Sequence, residues 1–206
     1  IDQDPTLKIQ SPKTPKTLPK SLNELEVESL LKAPNLKLPM GIRDRAMLEL
    51  LYACGLRVTE LVSILLTEVI ISDGIIRVTG KGNKTRLVPM GEDALDWVQQ
   101  YIDDARHDIL KKKTSKFLFV TSRGGAMTRQ AFWYLIKKYA LVANIDTPLS
   151  PHVLRHAFAT HLLDRGADIN AIKELLGHSS LLATQIYTHV SGDKIKKAYK
   201  DAHPRG

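Results

Sequence analysis

The sequence has a single cysteine, Cys54, among its 206 residues. One thiol excludes an intramolecular disulfide framework and any zinc site built from cysteines alone. It is typical of a reducing compartment, so we expect a cytoplasmic protein. No stretch approaches the roughly 20 consecutive apolar residues of a membrane-spanning helix, so we expect no membrane partner. The first residues, IDQDPTLKIQ, lack the basic start and the apolar run of a secretory signal.

Two signatures of nucleotide and metal enzymes are also missing. The sequence contains no G-x-x-x-x-G-K-[ST] phosphate loop and no acidic cluster of the kind that holds a divalent ion. Positive charge is abundant: 30 lysines and arginines face 22 aspartates and glutamates, a formal net charge of +8. This balance is expected of a protein that meets a polyanion, although many basic proteins have other roles. The chain opens at Ile1 rather than at methionine, which we interpret as the start of a fragment.

Residues 1–20 differ in composition from the rest of the chain. They contain four of the ten prolines and four lysines, with almost nothing that could form a core. We interpret them as an extended interdomain linker. The globular region is predicted to begin at Ser21, where Ser21-Leu22-Asn23-Glu24 has the form of a capping box, and to continue through 21–206 as one domain.

Apolar periodicity predicts a mainly helical domain. Helices are predicted after Ser21, at 42–54, from Val58, and at 92–112, 128–144, 150 onward, 168–177, 180 onward and about 191–202. Two β-rich runs, GIIRVTG and TRLVPM, flank a polar loop and predict a hairpin. FLFVT at 117–121 is expected to add a third strand. The expected fold class is therefore α+β, mainly helical, with a small three-stranded antiparallel sheet.

One block, residues 150–190, concentrates unusual side chains. His152 and Arg155 are three apart at the start of a Ser150-capped helix, where unpaired N–H groups favour an anion such as phosphate. Apolar residues supply the core side of this helix, so neither side chain is needed for packing, and a solvated surface position is the commoner role for Arg155. His152 and His156 have a metal-site spacing, but Arg155 would repel a cation and no acidic ligand is near. We predict no metal site.

Three further positions are distinctive. His178 follows Gly177 in a predicted turn, and Tyr187 comes nine residues later on the next predicted helix. Upstream, Arg57 lies at a helix-to-helix junction with Glu60 one turn on. Each has an ordinary explanation, since a tyrosine of this kind commonly half-buries its ring and Glu60 can cap its helix.

Five short motifs follow one another along the chain. They are GLRVTEL at 55–61, GKGNK at 80–84, HVLRH at 152–156, LGH at 176–178 and IYTH at 186–189. In this order they resemble the tyrosine recombinase, or phage-integrase, family, and among its members the Xer site-specific recombinases of bacteria. The resemblance runs from about Pro19 to the end of the chain and implies the catalytic-domain fold of that family.

The resemblance implies that six residues of this chain are catalytic, and each is the residue type found at that position in the family. They are Arg57, Lys81, His152, Arg155, His178 and Tyr187. In the family, the tyrosine attacks a DNA phosphodiester to give a 3′-phosphotyrosyl enzyme and a free 5′-hydroxyl, and the 5′-hydroxyl of another strand then attacks that linkage. Lys81, in the hairpin loop, suits protonation of the departing 5′-oxygen, with its pKa lowered by neighbouring arginines. The phosphotyrosine keeps the energy of the broken bond, so we expect no ATP, and two arginines supply the positive charge, so we expect no metal ion; no cofactor is predicted.

The residue types suit this chemistry. A phenol has a pKa of about 10, so Tyr187 must lose its proton to attack. We expect His152 to be the general base and His178 to donate a hydrogen bond to the phosphate, a division that the sequence does not fix. Arg57 and Arg155 would bind the non-bridging oxygens and offset the charge of the transition state.

The resemblance also implies partners and a biological role. A double-stranded DNA recombination site would be held by a tetramer of this protein, alone or with a paired recombinase. The Xer likeness implies chromosome dimer resolution at cell division, with a septal DNA translocase. The C-terminal helix, about 191–202, is expected to dock on a neighbouring protomer, with docking on its own chain as the alternative. Relatives carry an N-terminal helical domain with no counterpart here, so we expect the catalytic half and its linker.

Two other functions stay open. One is a mobile-element integrase with the same chemistry, and the other is a DNA-binding module that has lost catalysis, against which the six intact positions speak. For base recognition the candidate is the helix after Thr128, with Arg129 and Gln130 near its start. The sequence is equally consistent with Arg129 and Gln130 being ordinary solvated surface residues.

Overall fold

The computed structural model describes residues 22–80, 85–177 and 199–205. These ranges contain eight α-helices, a further helical stretch at 199–202 and a three-stranded antiparallel sheet, which confirms the predicted fold class. The helices are α1 (Glu24–Lys32), α2 (Pro39–Ala53), α3 (Val58–Ser63), α4 (Glu92–Gln100), α5 (Arg106–Leu110), α6 (Arg129–Val142), α7 (Pro151–Asp164) and α8 (Ile169–Leu175). The strands are β1 (Val69–Ile70), β2 (Ile75–Thr79) and β3 (Thr85–Pro89). Among these helices, none has the length and apolar character needed to span a bilayer.

α1 begins later than the sequence indicates, and the predicted cap is wrong. The N-cap is Asn23, whose side chain accepts the Glu26 N–H at 2.8 Å, while the Glu26 carboxylate accepts the Asn23 N–H at 2.9 Å. The tetrapeptides 21–24 and 23–26 both have the form of a capping box. Starting at Asn23 leaves Leu22 fully buried just before the helix and places Leu25, 79% exposed, on the outer face. Ser21 lies outside the described residues.

α2 is the central helix of the fold. Every residue from 43 to 53 is buried, so its surroundings are protein on all sides. Four of these residues are charged, and they pair within the helix: Arg43 with Asp44 at 2.7 Å, and Arg45 with Glu49 at 2.6 Å. A buried charge without a partner would be strongly destabilising. The apolar period predicted this helix but not its complete burial.

The sheet has the order β1, β2, β3. β2 and β3 are the predicted hairpin, with Ile76 opposite Val88. The sequence predicts the third strand at 117–121, and this prediction is wrong, because β1 pairs with β2 and 117–121 makes only isolated bridges to described residues. The side chain of Arg106 donates hydrogen bonds to three carbonyls between residues 115 and 118. These bonds satisfy backbone groups that a neighbouring strand would otherwise pair.

The remaining described helices largely match the sequence pattern. The predicted helix at 92–112 comprises α4, a π-helical turn at Tyr101–Ala105 and α5, and it ends at Lys111, which has a φ of 55°. Thr128, Ser150 and Asp168 accept hydrogen bonds from first-turn N–H groups of α6, α7 and α8, so these predicted starts are confirmed. The helix predicted from residue 180 lies outside the described ranges.

Residues 199–205 pack against their own chain. Tyr199 and His203 are buried, and their rings stack with centroids 4.7 Å apart. The Tyr199 hydroxyl donates to the Met90 carbonyl at 3.3 Å. The described end of the predicted 191–202 helix thus makes the same-chain contact that the sequence left as the alternative.

Arg205 fastens this segment through three carboxylates. Its Nη1 lies 2.8 Å from Asp93, and its Nη2 bonds Glu28 and lies 3.7 Å from Glu49. These acids come from α4, α1 and α2. Residues 199–205 therefore pack against α2, the central helix.

Candidate active site

The turn between α2 and α3 sets the position of Arg57. Gly55 has a φ of 54°, a left-handed conformation that glycine adopts at little cost. The N–H groups of Gly55 and Leu56 donate back to carbonyls of the last turn of α2 at 3.4 and 3.3 Å, the pattern of a Schellman motif. A Cβ at Gly55 would lie 2.5 Å from the ring of Phe158 on α7. The start of α3, where Arg57 is the N-cap, is therefore brought close to α7.

Glu60, in the first turn of α3, holds Arg57 in two ways. One carboxylate oxygen accepts the Arg57 backbone N–H at 2.7 Å, and the other accepts its Nη1 at 2.9 Å. Helix capping and guanidinium binding, the two roles considered for Glu60, thus occur together. The Glu60 side chain is 2% exposed whereas that of Arg57 is 39% exposed, so a buried acid anchors an arginine that reaches solvent.

Arg86, on β3, binds the same carboxylate. Its Nη1 and Nη2 donate to the two Glu60 oxygens at 2.9 and 3.0 Å, and its Nε donates to the Leu175 carbonyl at 2.9 Å. Such bidentate pairs are among the stronger hydrogen-bonded ion pairs. The sequence reasoning missed Arg86. A charged residue inside the β-rich run TRLVPM, directly after GKGNK, is the signal that could have found it.

Arg155 is buried within this cluster, so its interpretation as a surface arginine is wrong. It is 8% exposed, its Nη1 donates to the Gly55 carbonyl, and its Nη2 donates to the Leu176 carbonyl at 2.6 Å. The expectation that it is not needed for packing is also wrong. Residues three and seven positions on, Phe158 and Leu162, are core residues on the same face of α7.

Three guanidinium groups meet one carboxylate here. Arg155 Nη1 lies 4.0 Å from Glu60, beyond the closer contacts of Arg57 and Arg86, which leaves a formal excess of positive charge. Burial raises the pKa of the Glu60 carboxyl, but the hydrogen bonds and positive charge of Arg86 and the hydrogen bonds of Arg57 outweigh it, so the pKa is lowered overall. Burial and the charge of Arg57 lower the pKa of Arg155 to about 10, which keeps it protonated at neutral pH. The cluster is thus a fixed cationic site suited to an anion.

His152 lies one turn before Arg155 on α7 and is exposed. It borders a surface groove of about 680 Å³. The other lining residues come from the starts of α3, α6 and α7 and are Val58, Thr128, Arg129, Gln130, Trp133, Ser150 and Pro151. The groove therefore brings His152 together with the two candidate base-reading residues. In the described part of the chain, no three His, Cys, Asp or Glu side chains form a group that could hold a metal ion.

Lys81, His178 and Tyr187 lie outside the described residues. The chain is described immediately beside two of them. β3 begins directly after the range 81–84, and Arg86 is its second residue. A Cβ on Gly177, the residue before His178, would lie 3.2 Å from Arg86 Nη1. The described residues bordering the GKGNK loop and His178 therefore both lie next to Arg86.

The sequence matches known recombinases over nearly its whole length. The model of the phage integrase family matches residues 20–193. Tyrosine recombinase XerD of Pseudomonas putida is 57% identical, covering 98% of this chain and 68% of the relative. XerD of Vibrio cholerae is 54% identical, covering 98% of this chain and 67% of the relative. The chain thus spans about two thirds of the length of these relatives.

Solved structures give the same result. XerA recombinase has a TM-score of 0.70 at 32% identity, covering 92% of this chain and 68% of that one. The integrase of mycobacterium phage Brujita has a TM-score of 0.74 at 28% identity, covering 98% of this chain and 64% of that one. XerH bound to its difH substrate has a TM-score of 0.68 at 25% identity, covering 95% and 58%. The chain belongs to the phage integrase family and is a Xer-type, tyrosine site-specific recombinase.

Proposed function

We propose that this chain cleaves and rejoins double-stranded DNA through a covalent bond between Tyr187 and a 3′-phosphate. The observation that carries the proposal is the cluster in which Arg57 and Arg155 lie beside one buried carboxylate, that of Glu60. Its excess positive charge matches the negative charge of a phosphodiester. Fixed arginine donors favour the more highly charged pentacoordinate transition state over the ground state.

The attack step uses the side of the cluster where Arg57 reaches solvent. Arg57 and Arg155 bind the non-bridging oxygens of the scissile phosphate. His152, one turn from Arg155 and exposed at the groove, takes the proton of the Tyr187 hydroxyl as its oxygen bonds to phosphorus. A histidine suits this role because a neutral imidazole has one ring nitrogen that can accept a proton.

The departure step completes the exchange. The bond from phosphorus to the 5′-oxygen breaks, and Lys81 supplies the proton that makes this oxygen a hydroxyl. His178 donates a hydrogen bond to the phosphate throughout. A 5′-hydroxyl from another strand then attacks the phosphotyrosine, giving its proton to Lys81 as its oxygen bonds to phosphorus, while His152 returns a proton to the departing Tyr187 oxygen, so the number of phosphodiester bonds is conserved. The step needs neither ATP nor a metal ion.

We also propose the setting of this activity. The likeness to XerD relatives supports chromosome dimer resolution at cell division. We place this activity in the cytoplasm, on a double-stranded recombination site. The acting species is a tetramer of this protein or of this protein with a paired recombinase, assisted by a septal DNA translocase. Residues 21–206 act as the catalytic domain and 1–20 as its linker. The curated XerD relatives, at 54–57% identity over nearly the whole chain, support this role over mobile-element integration.

The test is covalent capture on a nicked suicide duplex that carries the chromosomal recombination site of the source bacterium. The wild-type chain should give a protein–DNA adduct that resists denaturation, and Tyr187→Phe should give none. Tyr134→Phe is the matched control, since Tyr134 is 58% exposed on α6 and loses only a hydroxyl. DNA binding without any adduct in the wild type would support the silent-module alternative instead.

A further inference from the structure

We propose that Arg86 is a positioning residue of this site, which fixes Glu60 and, through it, the orientation of Arg57. The inference rests on the proposed function and adds a residue to it. Arg86 is assigned a positioning role rather than a catalytic one because all three of its guanidinium nitrogens donate to protein acceptors, the Glu60 carboxylate and the Leu175 carbonyl. It acts on the phosphate only through its neighbours.

The hydrogen bonds of Glu60 show how this works. Each carboxylate oxygen accepts one donor from Arg86 and one from Arg57, so four hydrogen bonds occupy the roughly four acceptor positions of the group. The carboxylate therefore has a single well-satisfied orientation. Removing the two Arg86 donors leaves a buried acid with Arg57 as its nearest cation. It would then turn toward the Arg57 guanidinium and occupy donors that the phosphate requires.

Charge acts in the same direction. With Arg86 in place, Glu60 is shared between two close cations, at 2.9 Å each, and Arg155 lies at 4.0 Å. Without Arg86, the carboxylate neutralises a larger share of the charge of Arg57 and Arg155. The attraction of the cluster for the extra negative charge of the transition state falls accordingly.

Arg86 also ties the cluster to the end of α8. Its Nε binds the Leu175 carbonyl at 2.9 Å, and Arg155 Nη2 binds the next carbonyl, that of Leu176, at 2.6 Å. The two arginines thus hold consecutive peptide groups, and Glu60 lies next to both. One side chain on β3 connects α3 and the last turn of α8, so a shift of β3 would be transmitted to the phosphate-binding groups.

The experiment compares single-turnover cleavage of the suicide duplex by Arg86→Met, Arg86→Lys and wild type, at saturating protein. Arg86→Met should cleave about 10- to 100-fold more slowly, with a Kd for DNA within about threefold of wild type. Arg86→Lys restores the charge but not the bidentate fork, so its rate should fall between the two. Arg106→Met is the matched control, because Arg106 is a half-buried arginine whose three hydrogen bonds shape the 115–118 loop. It should lower the Tm without slowing cleavage by the folded protein.

A second measurement separates positioning from a general loss of structure. In an Arg57→Lys background, which keeps the positive charge, Arg86→Met should slow cleavage by less than about threefold relative to Arg57→Lys alone, because the group it positions is already altered. Effects that multiply across the two positions, or a wild-type cleavage rate for Arg86→Met, would overturn the inference alone. A wild-type chain that forms no Tyr187-dependent adduct would instead overturn the proposed function, and this inference with it.

Discussion

Replacing Gly55 by alanine should destabilise the protein by about 2–5 kcal/mol, through two separate costs. The left-handed φ of 54° costs an L-residue about 1–2 kcal/mol. The new Cβ would also lie 2.5, 2.7 and 3.0 Å from three ring carbons of Phe158, a residue with no exposed surface. Overpacking of this kind costs about 1–3 kcal/mol, because a ring in a close-packed core cannot move aside freely.

Gly166 provides the matched control. Its φ is 82°, and a Cβ there would have no heavy atom within 4 Å, so Gly166→Ala carries the backbone cost alone. Urea unfolding followed by circular dichroism gives the free energy of unfolding of both variants and of wild type. The expected difference between the two variants is about 1–3 kcal/mol, which measures the contact with Phe158. Combining Gly55→Ala with Phe158→Leu should recover part of it.

Equal losses in Gly55→Ala and Gly166→Ala would refute this reasoning, because they would show that the ring yields at no cost. The same variants test the site. The Gly55 carbonyl accepts a hydrogen bond from Arg155, so a displaced turn should also slow single-turnover cleavage. Gly166→Ala should leave the cleavage rate unchanged.

Three further outcomes are expected. The pKa of Glu60 is lowered in the folded state, so its carboxylate contributes stability that is present above its ordinary pKa of 4.5 and is lost as the pH falls through the folded value. The stability difference between wild type and Glu60→Gln, from urea unfolding, should therefore shrink as the pH is lowered from neutral to below 4.5; a constant difference would contradict the assignment. Arg205→Ala should cost about 1–3 kcal/mol, since it removes the cation shared by three carboxylates, one of them the fully buried Glu49; an unchanged Tm in calorimetry would count against that network. Asp168→Ala should cost about 1 kcal/mol, because the Asp168 side chain accepts the N–H groups of Asn170 and Ala171 at 2.8 and 3.1 Å; Asp168→Asn should retain most of that stability in the same assay.

The parts of the fold that the sequence predicts are those with local signals. Thr128, Ser150 and Asp168 cap their helices through hydrogen bonds within a few residues, so composition and spacing suffice to find them. The segment 117–121 has the composition of a strand, but distant side chains, among them that of Arg106, satisfy part of its backbone. That arrangement depends on tertiary contacts, which no local window contains.

The site divides in the same way. The GLRVTEL motif places Arg57 and Glu60 within one turn, so their contact could be expected from spacing alone. The burial of Arg155 could not, because it depends on the approach of α7 to the Gly55 turn, 100 residues earlier in the chain. Arg86 stands out as a charged residue within a β-rich run, but its partner Glu60 lies 26 residues earlier in the chain, so the sequence does not identify the contact.

The crowding of like charge around Glu60 links folding to ligand binding. The three arginines of this partly buried cluster repel one another, and the repulsion lowers the stability of the folded chain. A polyanion bound at the cluster relieves this repulsion. Because the cluster exists only in the native state, binding shifts the unfolding equilibrium toward the folded chain by mass action. The DNA substrate is in this sense also a stabilising ligand, and thermal resistance should rise with its concentration.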